Sequence, residues 1–202
     1  MRAYDTSPYE PVYRRLAAAD GDGPRVIGLA GAGRGQGTTS LAVGLARAAA
    51  ASGRAGVLVI DAAPVGRPAA RLLARELRAP ATDPGGLPGE LQPGAHAAPA
   101  LLSLDADRAA GVREDDWRRA LASLRERYAV IVVDTGDVDS VVPLRWRAFV
   151  DTLVLVVDTN RETVESLSRL RKNLDDRALT CDGFVLNKRR FHVPGFLYRL
   201  VR

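Results

Sequence analysis

Lysine is almost missing from this 202-residue chain: of its 29 basic side chains, all but Lys172 and Lys188 are arginine. The net charge is +5, and arginine's planar donor fork suits phosphate or acidic surfaces. The arginines are scattered, however, apart from Lys188-Arg189-Arg190. The excess therefore reads first as a GC-rich coding bias, and a nucleic-acid partner is not expected. A lone cysteine, Cys181, excludes an intramolecular disulfide and fits a reducing cytoplasm. It reads as a packed residue beside the last strand rather than as a nucleophile. His96 and His192 are too few and too isolated for a metal cluster, and no histidine accompanies a Gly-x-Ser-x-Gly pattern, so a hydrolase triad has no support. No apolar run approaches the ~20 residues of a membrane helix. The opening MRAYDTSPYE is not signal-peptide-like. The expectation is a soluble protein, at most attached to a membrane surface.

What is present is ordinary globular composition, 47% apolar and 26% charged, in a length that suits one domain with a substantial core. Residues 1–24 read as an arm with a short helix in YEPVYRRLAAA, and 25–202 as the domain. Six apolar runs read as strands: VIGLA, GVLVID (56–61), ALLSL (100–104), AVIVVD (129–134), TLVLVVD (152–158) and GFVLN (183–187). Most are continuously apolar rather than alternating, the mark of parallel strands covered on both faces. Between them lie helical patterns. LAVGLARAAAAS has Leu41, Leu45 and Ala48 on one face and stops at Gly53. RPAARLLAREL follows GVLVID. EDDWRRALASLRERY aligns Trp117, Leu121, Leu124 and Tyr128. A short helix lies around Val141–Phe149, and ETVESLSRLRKNL aligns Val164, Leu167, Leu170 and Leu174. The Pro- and Gly-rich stretch 80–99 reads as a surface loop. The fold class is therefore α/β, a three-layer Rossmann-like domain with a mainly parallel sheet flanked by helices. Asp61, Asp134, Asp158 and Asn187 fall at carboxyl ends of strands, where such sheets bind ligands.

The first strand runs into Gly31, Ala32, Gly33, Gly35 and Gly37, and then Thr38, Thr39 and Ser40 open a helix. Strand, glycine-rich loop, hydroxyl pair and helix is the grammar of a phosphate-binding P-loop. Its glycines let successive N–H groups converge on an anion, and the helix N-terminus adds partial positive charge. Gly33, Arg34, Gly35, Gln36, Gly37, Thr38, Thr39 and Ser40 are the candidate phosphate contacts. Thr39 holds the position whose hydroxyl ligates Mg²⁺, Asp134 fits the carboxylate that holds the metal through water, and Asp61 the carboxylate that positions water. These two aspartates are the catalytic candidates, and Thr39 and Asp134 the metal candidates.

The loop breaks its own pattern at Thr38, where a lysine belongs. A lysine–phosphate contact is a charge-assisted hydrogen bond of about 1.5–3 kcal/mol. Losing it weakens nucleotide binding about ten- to a hundredfold, and turnover suffers more because transition-state charge loses a cation. Arg34, inside the loop, is the candidate substitute cation, although the favoured reading turns it to solvent.

Together GRGQGTTSLAVGLARAAAASGRAGVLVIDAAP, YAVIVVDTGDV, VDTLVLVVDTN and GFVLNKRR resemble the deviant P-loop ATPases of the MinD/ParA type. Within them the closest resemblance is to the bacterial tyrosine-kinase (BY-kinase) domains of exopolysaccharide chain-length regulators. YEPVYRRLAA resembles the helix that precedes the P-loop there, and NKRRFHVPGFLYRLV the tail of some members. The resemblance implies ATP and Mg²⁺ as ligands, Asp61 as the first aspartate of the A′ motif, Asp134 as the Walker B carboxylate and Asn187 as a contact to adenine. Three features depart from it: Thr38 replaces the lysine, Gly33 stands where the signature lysine belongs, and Asp61-Ala62-Ala63 lacks the second A′ carboxylate. No tyrosine cluster follows, with Tyr198 alone near the end. A Gly-Thr-Thr loop also resembles the MinD-like protein of cellulose-secretion systems.

The expectation is thus a catalytically degenerate protein, a pseudokinase or pseudo-ATPase, that regulates or scaffolds exopolysaccharide production. Its expected partner is the cytoplasmic tail of a polysaccharide co-polymerase or an active homologue, and the family implies face-to-face homodimers. The alternatives are an active ATPase or tyrosine kinase without the loop lysine, and a ParA-like positioning ATPase on nonspecific DNA. The tail FHVPGFLYRLVR aligns Phe196, Leu197, Leu200 and Val201 between arginines. It offers a basic amphipathic contact to the inner-membrane surface, although so short a helix more often packs on its own sheet.

Overall fold

The computed structural model describes residues 5–17, 23–54, 56–62, 68–78, 87–95 and 97–188. The expectations for His96, His192, Tyr198 and the amphipathic tail lie outside them. Among the described residues seven strands form one sheet: β1 (Arg25–Gly31), β2 (Val57–Asp61), β3 (Gly89–Gln92), β4 (Ala100–Leu104), β5 (Val130–Asp137), β6 (Thr152–Asp158) and β7 (Gly183–Asn187). The helices are α1 (Glu10–Ala17), α2 (Thr38–Ala51), α3 (Pro68–Leu73), α4 (Ala106–Ala110), α5 (Glu114–Arg127), α6 (Val142–Trp146) and α7 (Val164–Asp176).

The spatial order is β3-β4-β2-β5-β1-β6-β7, with every neighbouring pair parallel except β3 and β4. This is the Rossmann-like α/β architecture expected from the apolar runs. Central strands β1, β2, β5 and β6 are buried along most of their length because each face carries a helical layer. Val26, Leu58, Ile60, Ile131 and Val133 pack toward Trp117, Leu121 and Leu124 of α5. Alternate residues Ile27, Leu29, Val57, Val59 and Val132 pack toward Leu41, Leu45 and Ala49 of α2. On the first face Trp117, Trp146 and Phe149 stack edge-on or tilted, joining α5 to α6.

Two departures from the sequence reading are physical. The stretch 80–99 was expected to be loop, yet Gly89–Gln92 forms β3, antiparallel to β4. GELQ has no β-branched residue and buries only Leu91, so the strand exists because β4 offers an edge. The helix expected over RPAARLLAREL is α3 alone, ending at Leu73. The short α1 docks through Tyr13, which is 4% exposed, and through Tyr9, whose ring lies where a Cβ on Gly44 of α2 would fall. Among the described residues no helix is long and apolar enough to cross a membrane.

Candidate functional site

The loop between β1 and α2 keeps the strand's course for one residue, with the Ala32 N–H donating to the Val156 carbonyl at 2.9 Å. It then turns through left-handed backbone at Gly35 (φ 77°) and Gly37 (φ 88°), conformations that side-chain-bearing residues resist. Gly37 is the N-cap of α2 and supplies no capping side chain. The first turn of that helix therefore presents uncapped donors. Among the described residues the N–H groups of Gly35, Gly37 and Thr38 meet no protein acceptor. A nest of this kind suits an anion.

On the inner side of the loop the Thr39 Oγ1 donates to Asp134 Oδ2 at 2.5 Å, while Oδ1 of Asp134 accepts from the Gly136 N–H at 3.1 Å. Asp134 has no solvent exposure. Burial pushes its carboxyl up from the ordinary value, against the lowering pull of Thr39 and Gly136. A buried carboxylate with two donors and, among the described residues, no cation beside it is a site that favours arrival of a cation. Asp61 pairs in register with Asp134 across β2 and β5, is 3% exposed, and accepts from the Ala69 N–H of α3 at 3.3 Å. The structure thus brings Thr39, Asp61 and Asp134 together beneath the loop. Thr38 is buried, with its Oγ1 against the space a Gly31 Cβ would need. Its hydroxyl is turned into the loop's base. Ser40 and Arg34 are exposed, and it is the carbonyl of Arg34 that enters the network.

The outer side carries the contacts that sequence reading missed. Three consecutive loop carbonyls each accept from a different side chain: Arg34 from Arg161 Nη1 at 3.1 Å, Gly35 from Lys188 Nζ at 3.0 Å, and Gln36 from Asn187 Nδ2 at 2.7 Å. Gln36, 3% exposed, accepts from the Asp158 N–H through Oε1 and donates to Glu162 at 2.7 Å through Nε2. Lys188 also pairs with Asp158 at 2.8 Å. That hydrogen bond is the leading cause holding the Asp158 carboxyl below its ordinary value. Asn187, read as an adenine contact, spends one N–H on the loop and its Oδ1 on the Lys188 N–H at 2.9 Å. Its second amide hydrogen remains for a further acceptor. Gln36, expected as a phosphate contact, spends its side-chain amide on Asp158 and Glu162. Lys188 had no local signal, because 153 residues separate it from the Gly35 carbonyl it binds.

The residues fit a nucleotide phosphate chain with Mg²⁺, less one cation: donors converge in the nest, and Thr39 and Asp134 supply oxygen ligands. Among the described residues no three His, Cys, Asp or Glu side chains gather as a cage, so a metal here would need ligand oxygens as well. Cys181 is half-buried. Burial, with Asp182 adding and Arg147 opposing, pushes its thiol up, away from thiolate reactivity.

No protein-family model matches the chain, and neither does any curated protein. Solved structures do. The VpsO kinase domain superposes with a TM-score of 0.71 at 19% identity, covering 92% of this chain and 94% of that domain. The kinase domain of Escherichia coli tyrosine kinase ETK gives 0.66 at 19%, covering 90% and 74%. Cobyrinic acid a,c-diamide synthase from Mycobacterium smegmatis, with an ATP analogue and magnesium bound, gives 0.56 at 20%, covering 80% and 70%. The chain therefore has the MinD/ParA-type P-loop fold, close to that of tyrosine-kinase domains.

Proposed function

We propose that this protein is a nucleotide-binding P-loop domain of BY-kinase-like type, degenerate in catalysis, that serves exopolysaccharide assembly as a regulator or scaffold. One observation carries the reading: the loop keeps its anion nest and its Thr39–Asp134 pair while position 38 holds a threonine. Binding elements are retained and the cation that most assists phosphoryl transfer is gone. Gly35, Gln36, Gly37, Thr38 and Thr39 would hold the phosphates and Asn187 the base. Thr39 and Asp134 would hold Mg²⁺, which neutralises phosphate charge when bound. Asp61, without a second A′ carboxylate, would at most orient water. The partner under this reading is the cytoplasmic tail of a polysaccharide co-polymerase or an active homologue, met at the inner face of the membrane.

Calorimetric titration of ATP–Mg²⁺ into wild type and Thr38→Lys tests the proposal. Wild type is expected to bind in the micromolar range, Thr38→Lys about ten- to a hundredfold more tightly, and wild type to show no turnover above background. Absence of binding by wild type would overturn the nucleotide reading, and sustained turnover would favour the active-enzyme alternative.

A further inference from the structure

A lysine at position 38 would neutralise phosphate charge; the shape of the loop is held here by other residues. In a peptide unit the carbonyl and the following N–H point in opposite directions. Arg161, Lys188 and Asn187 hold three successive carbonyls on the outer side of the loop. The N–H groups that follow, on Gly35, Gln36 and Gly37, are thereby turned to the inner side. We propose that Arg161, Lys188 and Asn187 form an external clamp that preorganises the anion nest, with Gln36 as its buried keystone, and so keep diphosphate-bearing ligands bound although position 38 has no cation. The inference rests on the nucleotide reading above and says what holds that site in shape.

An independent observation comes from the glycines. A Cβ on Gly35 would lie 2.7 Å from Arg161 Nη1, and one on Gly37 would collide with Asn187 Nδ2. These positions are small where the clamp side chains cross the loop, besides needing positive φ. The clamp has its own anchors. Asp158 fixes the Lys188 ammonium, the Asp158 N–H and Glu162 fix the two ends of the Gln36 amide, and Asn160 Nδ2 donates to the Lys188 carbonyl at 2.5 Å. These anchors come from the end of β6 and the turn after it, and Lys188 and Asn187 from the end of β7, so the flank of the sheet shapes a loop that belongs to its centre. An exposed ion pair alone would contribute little. Here the gain is preorganisation: donors already aimed need not be ordered when the ligand arrives.

The test uses the full chain and two probes, Mg²⁺–ADP and inorganic pyrophosphate, in calorimetric titrations of wild type, Lys188→Met, Lys188→Arg and Arg161→Met. The clamp predicts that Lys188→Met weakens both probes by the same factor, about tenfold, while its thermal midpoint stays within a few degrees of wild type. Lys188→Arg, which can still donate to the Gly35 carbonyl and Asp158, should recover most of the loss. Arg161→Met, on a different element, should weaken pyrophosphate by a smaller factor. If wild type binds both probes and neither Met variant changes pyrophosphate affinity, the clamp is overturned and the nucleotide reading stands. If Lys188→Met weakens ADP alone, Lys188 touches base or sugar instead, and the clamp is again overturned. If wild type binds neither probe, the nucleotide reading fails and the clamp with it.

Discussion

Helices α2 and α7 are almost the same length, 14 and 13 residues, and both follow a strand that ends at the candidate site. Ten residues of α2 are buried and none of α7 is. The sequence patterns give the opposite impression. α7 is the more regularly amphipathic, with Leu167, Leu170 and Leu174 in step and a capping box at Thr163 and Ser166. α2 is alanine-rich with a weak polarity contrast, because α1 and α3 cover what the sheet leaves open. Over the edge strand β7, Phe184 stays 71% and Leu186 48% exposed, and an apolar groove runs between them and α7, lined by Leu155, Val157, Leu170 and Leu174. Periodicity says which face of a helix is apolar; only the number of neighbours says how deeply that face is covered.

Core truncation should show the largest contrast. Leu45→Ala, at a side chain with no exposure, should cost about 2–5 kcal/mol by the cavity it leaves, read from the shift of the denaturant midpoint at constant slope. A cost below about 1 kcal/mol would mean that α2 is not the closed side.

The next effect has the opposite sign and lies under the loop. Asp134 carries its carboxyl above the ordinary 3.8, so it binds its proton more tightly folded than unfolded. The contribution of Asp134 to folding stability is then fullest below about pH 4 and is lost as pH rises through the raised value, where the buried group must ionise. Asp134→Asn should remove that loss and, without Mg²⁺, raise the melting temperature at pH 7. At pH 3.5 the two proteins should melt alike. Asp158, at the edge, has the reverse shift: its stabilising pair with Lys188 is present above the ordinary value and lost as pH falls through the depressed one. A wild type more stable than Asp134→Asn at pH 7 would mean that the buried carboxylate is better compensated than its surroundings indicate.

The smallest effect sharpens the comparison most. Leu167→Ala on α7, 42% exposed, should change stability by no more than about 0.5 kcal/mol. A cost above about 1.5 kcal/mol would show that the groove is covered in solution.

Much of this was legible before any coordinates. Six strands, the helices α2, α5 and α7, and the loop at Gly31–Ser40 follow from continuous apolar runs, 3.6-residue spacing and glycine placement. These signals are local, so the chain displays them directly. β3 was not legible, since Gly89–Gln92 has no strand composition and pairs only because β4 is there. The outer contacts of the loop were not legible either. Arg161, Lys188 and Asn187 lie 127 to 153 residues from the carbonyls they bind, and a lone lysine in a tail-ward KRR run carries no signal of its destination.

By itself the sequence determined most of the elements, the glycine loop, the hydroxyl and carboxylates available to it, and the missing lysine at position 38. Residue type and short-range spacing are enough for those. Strand order belonged to the tertiary structure, because it depends on which apolar faces meet. Setting β6 and β7 beside β1 carries Lys188 to the back of the phosphate loop, and no neighbour in the sequence could have put it there.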